Sequence, residues 1–351
     1  HAIGDLVLQR VAGLIRCESR KGDFIARIGA DEFAVICSFA KDLDELNALS
    51  KRLCQLITEP FEIEDVACEL KCTAAIVLSD KGEIDPIRLQ NDVDITLSEA
   101  KLQGSGASVI FSPELRNAFE EREDLRQDLK RAFAANEIEP FFQPQINVRT
   151  GKLDGFEALA RWRHPEKGVL TPFHFLNAAT EFGLGEKLDE IIMDKAFSAL
   201  ASWRAKGLIV PRIGVNITTA ELRDPFMIER IKWAAEGHDL EPSDVCIEIL
   251  ESVLVEEEGK EVIQNIAGLS RSGFLIDLDD FGTGYSSLTQ LRSFPFDRLK
   301  VDRSFIGDLP ESAQSLAILR SVVGLGRSLG IAVTAEGVET PDQMRLLILE
   351  G

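Results

Sequence analysis

Six apolar runs in the second part of the chain end in residues able to bind cations or move protons. They end at Glu157, Asn216, Glu248, the pair Asp279-Asp280, Lys300 with Asp302, and Glu336. A stretch with helix or loop character follows each run. Strands alternating with helices predict a parallel sheet or a (β/α) barrel. In a barrel, residues at the C-terminal strand ends converge on one mouth. Carboxylates and an amide gathered there, with one lysine, form an oxygen cage for hard divalent cations. Packing alone has no use for so many carboxylates together, because they repel unless a metal or a proton neutralises them.

The segments differ in how much they say. Glu157 lies in Phe156-Glu157-Ala158-Leu159-Ala160-Arg161-Trp162, and Arg161, four residues on, shares its strand face. The guanidinium fork of Arg161 suits a phosphate. Asn216 offers a neutral oxygen, although turns also favour asparagine. Glu248 and Glu251 are three apart, so a regular strand points them to opposite faces. Glu248 is the better ligand, and Glu251 the better brace for a nearby loop. The run from Asp279 to Leu288 (Asp-Asp-Phe-Gly-Thr-Gly-Tyr-Ser-Ser-Leu) is the most specific. Adjacent carboxylates can serve two metals, one shared and one exclusive, and the glycines let the loop turn beside them. Paired metals suit in-line phosphoryl displacement. Lys300 would stabilise developing charge or hold an attacking water, and Glu336 would ligate a metal or accept a proton. Taken singly, each of these residues also fits an ordinary strand end or a rim salt bridge.

The elements that must position these groups can be read from periodicity. Strands are predicted near residues 140–146, 155–161, 213–218, 245–249, 274–279, 298–302 and 331–335. That is seven, where a closed barrel has eight, and the eighth is expected just beyond Gly351. This barrel unit covers 137–351. Residues 112–136 are highly charged with Leu115, Phe119, Leu125, Leu129 and Phe133 interspersed, and predict a linker helix with an apolar stripe. Residues 1–111 predict a small α+β domain. A helix carries Leu6 to Ile15. Strands at 24–28 and 33–37 flank Gly29-Ala30-Asp31-Glu32 as a hairpin. Then come a helix at 42–58, a strand at 68–78, a helix ending near Lys101, and a strand at 108–111.

Bulk properties narrow the function classes. The chain has 351 residues, 45% of them hydrophobic, enough for two cored domains. A net charge of -20 argues against DNA or RNA binding and against anionic membrane surfaces. An anionic substrate would then need local metals or arginines. Six cysteines without CxxC pairs or zinc-type histidine partners predict buried free thiols in a reducing cytoplasm. No apolar run is long enough to span a membrane. Both ends read as cuts from a larger protein, so the chain is expected to be cytoplasmic, or the cytoplasmic part of a membrane-anchored protein.

Taken together, the segments around these residues resemble the EAL family of cyclic di-GMP phosphodiesterases. The matching segments are Phe142-Gln143-Pro144, Glu157-Ala158-Leu159, Arg161-Trp162, Asn216, Glu248 with Glu251, Asp279 to Leu288, Lys300 with Asp302, and Glu336 to Thr340. The resemblance implies an α/β fold, a modified TIM barrel that opens cyclic di-GMP to linear pGpG with Mg²⁺ or Mn²⁺, two ions in all. It implies that Glu157, Asn216, Glu248 and Asp279 hold one metal. Asp279, Asp280 and Glu336 hold the other, with Asp302 nearby. Glu336 and Lys300 would attend the attacking water, with Glu157 in the same catalytic group. Gln143, Leu159, Arg161, Asp280 and Glu339 would contact the dinucleotide, and Glu251 would brace the loop after Asp280. The family commonly dimerises through this domain. One departure is Leu250, where the family usually has threonine. The other is the family's last strand, with a glutamine-containing motif, which would follow Gly351.

The first domain resembles part of a GGDEF diguanylate cyclase domain, with the signature reading Gly29-Ala30-Asp31-Glu32-Phe33. Ala30 replaces a glycine where a nucleotide must approach the backbone. Ser105 stands where the family has a phosphate-contacting arginine. The resemblance therefore implies a degenerate, regulatory domain with GTP as a candidate ligand. Arg20-Lys21-Gly22-Asp23 matches the family's RxxD product-inhibition site, and an exposed Arg20–Asp23 loop pair is the plain alternative. The competing functions are a catalytically silent cyclic di-GMP receptor, an active cyclase, and a barrel metallohydrolase for another phosphodiester.

Overall fold

The computed structural model describes every residue except 1, 39, 41, 65, 80–84, 256–259 and 284–293. The chain divides into two compact units, His1–Asp124 and Leu125–Gly351.

In the first unit, α1 (Ala2–Glu18) is followed by β1 (Phe24–Arg27), β2 (Phe33–Ile36) and α2 (Leu43–Thr58). Then come β3 (Phe61–Ile63), β4 (Val66–Cys68), β5 (Ala74–Ile76), α3 (Pro86–Gln103) and β6 (Ser108–Ile110). β1 and β2 form the predicted antiparallel hairpin, Phe24 opposite Ile36 and Arg27 opposite Phe33. The strand predicted at 68–78 is different. Residues up to Cys68 pair back on β3, with Phe61 opposite Cys68, and β5 starts only at Ala74. Glu64 takes φ 48°, and this left-handed residue turns the chain between β3 and β4. β5 pairs with β6 in parallel. Asp42 caps α2 by accepting from the Glu45 N–H at 2.9 Å. Asp85 caps α3, with Pro86 in its first turn. Val11 and Ile15 of α1 meet Ile57 of α2 in a small core.

The helix α4 (Pro113–Ala134) runs across the division between the units. Its C-terminal half carries the stripe: Leu129 and Ala132 are fully buried in the second unit's core, with Leu125 and Phe133 against them. That unit continues with β7 (Ile138–Ile146), β8 (Leu153–His164), β9 (Gly168–Leu170), α5 (Leu176–Glu181), α6 (Gly185–Ala205) and β10 (Ile213–Ile217). Next are α7 (Thr219–Leu222), α8 (Met227–Glu236), β11 (Val245–Leu250), α9 (Ser252–Val255), α10 (Lys260–Arg271) and β12 (Leu275–Phe281). It ends with β13 (Arg298–Val301), α11 (Ala313–Leu329), β14 (Ala332–Ala335) and α12 (Pro341–Glu350).

All seven predicted barrel strands are present, in the order β14-β13-β12-β11-β10-β8-β7. The eighth strand of this sheet is β9, a hairpin partner of β8 and not a barrel-closing strand. β7 and β9 run antiparallel to β8, and the other pairs are parallel. The sheet curls strongly. In a flat sheet, four strand spacings of about 4.8 Å would put β13 some ~19 Å from β8. Yet Lys300 of β13 reaches Glu157 of β8 at 3.0 Å, and Arg298 reaches Gln145 of β7 at 2.6 Å.

Strict alternation builds the two faces. Ile213, Val215 and Ile217, Val245, Ile247 and Ile249, Ile276 and Leu278, and Leu299 and Val301 are all buried in the apolar core. Between them, Gly214 and Asn216, Cys246 and Glu248, Asp277 and Asp279, and Arg298 and Lys300 point the other way. Fully buried parallel strands are usually apolar on both faces. Here the inner face is polar, with a lower layer (Cys246, Asp277, Arg298) beneath an upper one (Glu248, Asp279, Lys300).

Candidate metal centre

Lys300 is the centre of the upper layer and is 1% exposed. Its Nζ lies 3.0 Å from Glu157, 2.5 Å from Glu248, 2.9 Å from Asp279 and 2.8 Å from Glu336. Burial alone would weaken the ammonium's hold on its proton, but these four carboxylates outweigh burial and raise its pKa. Two groups of acidic ligand atoms each lie within 4.8 Å of one another: Glu157 with Glu248 and Asp279, and Asp279 with Asp280 and Glu336. Asp279 belongs to both, which is the sharing that adjacent aspartates make available. Burial is the main reason the Glu248 carboxyl is pushed well above the carboxylate range, against the pull of Lys300. Glu336 is pushed up to about 7 by burial, opposed by Lys300 and aided by Asp279. Asp280 is raised by burial and by Asp279 and Asp302.

The other predicted residues sort by position. Asn216 donates from Nδ2 to Glu157 Oε1 at 3.2 Å, so its amide adjoins the first group. Asp280 takes φ 53°, and its N–H donates to Asp279 Oδ1 at 2.8 Å, which turns the chain at the end of β12. Glu251 accepts from the Gly282 N–H at 2.8 Å, linking the end of β11 to the start of the loop after Asp280. The rest of that motif, 284–288, lies outside the described residues. Asp302 accepts from the Ser304 N–H at 2.9 Å and bonds to the Asp280 carboxyl; these bonds outweigh burial and lower its pKa. Gln143 on β7 is the direct partner of Glu157 on β8. Leu159 and Arg161 follow Glu157 on the same face. The Arg161 guanidinium donates to the Ala160 carbonyl at 2.7 Å and lies 5.8 Å from the Phe141 ring centre. Glu339 is exposed, with its N–H on Gln343 Oε1 at 2.8 Å in the cap of α12.

Sequence reading missed the layer beneath. Arg298, 4% exposed, donates to Gln145 at 2.6 Å and Asp154 at 2.7 Å, and stands 3.6 Å from Asp277. Arg212 also holds Asp154, at 2.6 Å. The network crosses the lumen from β13 to β7 and β8 and supports the floor under Lys300. Its signal was available: Asp277 and Arg298 each precede a site residue by two, the strand period. Gly214 was also missed. A Cβ there would lie 2.1 Å from Glu248 Oε1, so this strand glycine leaves room for the carboxylate.

In the first unit, the signature forms the hairpin turn. Ile28 donates to the Glu32 carbonyl at 2.9 Å, and Arg27 holds the Gly29 and Ala30 carbonyls at 3.1 and 2.8 Å. Ala30 and Asp31 are exposed, Phe33 packs against the small core, and Lys101 lies 3.6 Å from Glu32. The Arg20 N–H donates to Asp23 at 2.7 Å, but its guanidinium pairs with Glu45. Arg20, Asp23 and Glu45 line a groove of about 140 Å³.

A curled, mostly parallel sheet carrying its polar groups at the C-terminal strand ends is a modified TIM barrel with an acidic mouth. The chain belongs to the EAL domain family, whose profile matches residues 126–351, and carries ahead of it a diguanylate cyclase GGDEF domain matched over residues 1–107. It is 32% identical over 99% of its length to the bifunctional diguanylate cyclase/cyclic di-GMP phosphodiesterase MucR of Pseudomonas aeruginosa, covering 50% of that protein. It is 31% identical over its whole length to the cyclic di-GMP phosphodiesterase PdeR of Escherichia coli, covering 52% of it. The chain thus spans about half the length of these curated relatives. The MucR phosphodiesterase in complex with c-di-GMP superposes with a TM-score of 0.62 at 35% identity, over 65% of this chain and 92% of that one. Among the described residues, no helix is long and apolar enough to cross a membrane.

Proposed function

We propose that the barrel unit hydrolyses cyclic di-GMP to linear pGpG with two divalent cations, Mg²⁺ or Mn²⁺. The observation that carries this reading is the pair of acidic groups sharing Asp279 around one buried lysine. The donor set fits hard cations: every acidic ligand atom is oxygen, and the two groups hold five carboxylates, four of them in contact with a single ammonium. Glu157, Asn216, Glu248 and Asp279 would hold one ion, and Asp279, Asp280 and Glu336 the other, with Asp302 positioning Asp280. When bound, the ions supply Lewis-acid stabilisation of the phosphoryl oxygens and acidify a water.

The chain's own groups do the rest. Glu336, half-buried at the end of β14 and 2.8 Å from Lys300, would take the proton of the attacking water. Lys300 fixes four carboxylates in one geometry and offers positive charge to the developing oxyanion. Gln143, Leu159 and Arg161 stand along β7 and β8 beside Glu157, where amide, apolar side chain and guanidinium meet a base and a phosphate. Asp280 and Glu339 complete the dinucleotide contacts. The exposed, alanine-bearing turn of the first unit fits a regulatory domain taking GTP, with residues 1–111 as that domain, 112–136 as the linker and 137–351 as the hydrolase. Incubation with cyclic di-GMP and Mg²⁺, with and without GTP, tests this reading. pGpG formed by the wild type and not by Glu157→Ala supports it. Binding without turnover would make the chain a receptor and overturn it.

A further inference from the structure

Sequence spacing marks no cysteine pair, yet the fold of the first unit makes one. Cys54, on the inner face of α2, is 3% exposed, and its Sγ lies 3.5 Å from Sγ of Cys72, in the segment leading to β5. Cys72 is half-buried and packs against the core of Val11, Ile15 and Ile57. Its carbonyl accepts from the Gly106 N–H at 2.7 Å, which fixes the backbone on that side. Both thiols are free. A disulfide needs about 2.05 Å between sulfurs, so closure asks for about 1.5 Å of movement, within reach of side-chain torsions. The other four thiols have no such neighbour: Cys17 is exposed on α1, Cys37 and Cys68 are half-buried, and Cys246 is deep in the barrel.

We propose that Cys54 and Cys72 form a reversible dithiol–disulfide site, oxidised by small disulfides of the glutathione class. The two sulfurs share a hydrogen bond, which Cys72 donates and Cys54 accepts. That bond lowers the Cys54 thiol to about 7, against the effect of burial, and raises Cys72. The pair therefore titrates as one unit holding a shared proton. As the more exposed Cys72 attacks one sulfur of glutathione disulfide, the Cys54 thiolate accepts its proton along this bond, one glutathione thiolate is released and Cys72 is left as a mixed disulfide. Cys54 then attacks Cys72 Sγ, breaking that bond, expelling the second glutathione and closing the Cys54–Cys72 bridge. The chain gives up two protons and two electrons, and glutathione disulfide becomes two thiols. The bridge ties α2 to the segment before β5 around the seventeen residues between them. Small oxidised molecules of this kind would thus modify the first unit without touching the barrel chemistry.

The test equilibrates the whole chain in glutathione buffers of graded oxidation, blocks remaining thiols by alkylation and maps peptides by mass. The expected result is a linked Cys54–Cys72 peptide, lighter by two hydrogens, forming at an oxidant level on the order of tenfold lower than any modification of the other four cysteines. It should revert on dilution into reduced glutathione. Cys54→Ser should then leave a stable glutathione adduct on Cys72, and Cys72→Ser should leave Cys54 unmodified. A chain that oxidises at Cys17, Cys37 or Cys68 first, or whose wild-type Cys72 stays glutathionylated without resolving, overturns the proposal. Correct folding of each variant is checked by its unchanged cyclic di-GMP hydrolysis and circular dichroism.

Discussion

The barrel mouth and the first unit's hairpin both carry acidic signatures, but they hold them by different physics. At the mouth, Glu157, Glu248, Asp279 and Lys300 are at most 8% exposed, sit on four different strands, and constrain one another within 3.0 Å. In the hairpin, Ala30 and Asp31 are exposed on a turn closed by local bonds, and the neighbouring Glu32 meets Lys101 at 3.6 Å. Water screens the second arrangement and not the first. The same substitution chemistry should therefore be severe in one place and mild in the other, and this contrast can be broken experimentally.

The severest test is Asp279→Asn. This residue belongs to both acidic groups and contacts Lys300, so the variant should lose hydrolysis by about a thousandfold or more, read as pGpG per minute under saturating Mg²⁺. Retention of a tenth of wild-type rate would mean that the two groups do not act together. Next in size is Arg298→Met. It removes the cation that joins β13 to β7 and β8 and leaves buried Asp277 without the charge 3.6 Å away, while half-exposed Asp154 keeps Arg212. Breaking such a buried pair costs about 3–5 kcal/mol, measurable as a lower urea midpoint. A loss below ~1 kcal/mol would show that the lower layer is not a structural brace.

These two sites also mark what the sequence makes legible. Asp279 was readable because adjacent carboxylates followed by a glycine-rich loop have few other uses, and all seven strands followed from apolar runs. Arg298 was not, because a single arginine in a strand has many ordinary fates and its hydrogen-bond partners lie on strands more than 140 residues away in the chain. Gly214 was hidden because the pairing of β10 with β11, which sets Glu248 against it, is not written in either strand's own sequence. In the first unit, the β3–β4 hairpin was missed because its turn rests on Glu64 in a left-handed conformation that composition does not announce. The Cys54–Cys72 contact joins residues without a spacing motif.

A pH-dependent effect, outside the acidic cluster, tests whether burial or proximity governs the barrel's charges. Asp189 on α6 is pushed up to about 8 by burial first and by Glu221 second. The folded state therefore keeps a proton that the unfolded chain releases near its ordinary value of 3.8. A raised folded pKa adds stability below the unfolded pKa and loses it as pH rises toward the folded one. Stability should fall from about pH 4 to pH 8, by at most about 1.4 kcal/mol per unit. Asp189→Asn removes this titration, so its unfolding temperature should approach or exceed wild type increasingly toward pH 8. A variant whose difference from wild type is flat across pH 4–8 would show that Asp189 is ionised in the fold.

The mildest expectation concerns Ala30→Gly, which restores the glycine of the GGDEF signature. Ala30 is exposed and is not among the described non-glycine residues with positive φ, so the alanine sits without strain and its carbonyl is held by Arg27 at 2.8 Å. Glycine adds backbone freedom to the unfolded chain and should cost about 0.5–1 kcal/mol in the first unit. It opens the turn but supplies no phosphate-binding arginine at Ser105. GTP should therefore still yield no cyclic di-GMP, and cyclic di-GMP hydrolysis should stay within about twofold of wild type, as expected for a change on a screened, exposed turn. Cyclase activity in this variant would show that one Cβ had silenced an otherwise competent site, and the contrast between a buried acidic centre and an exposed turn would fail.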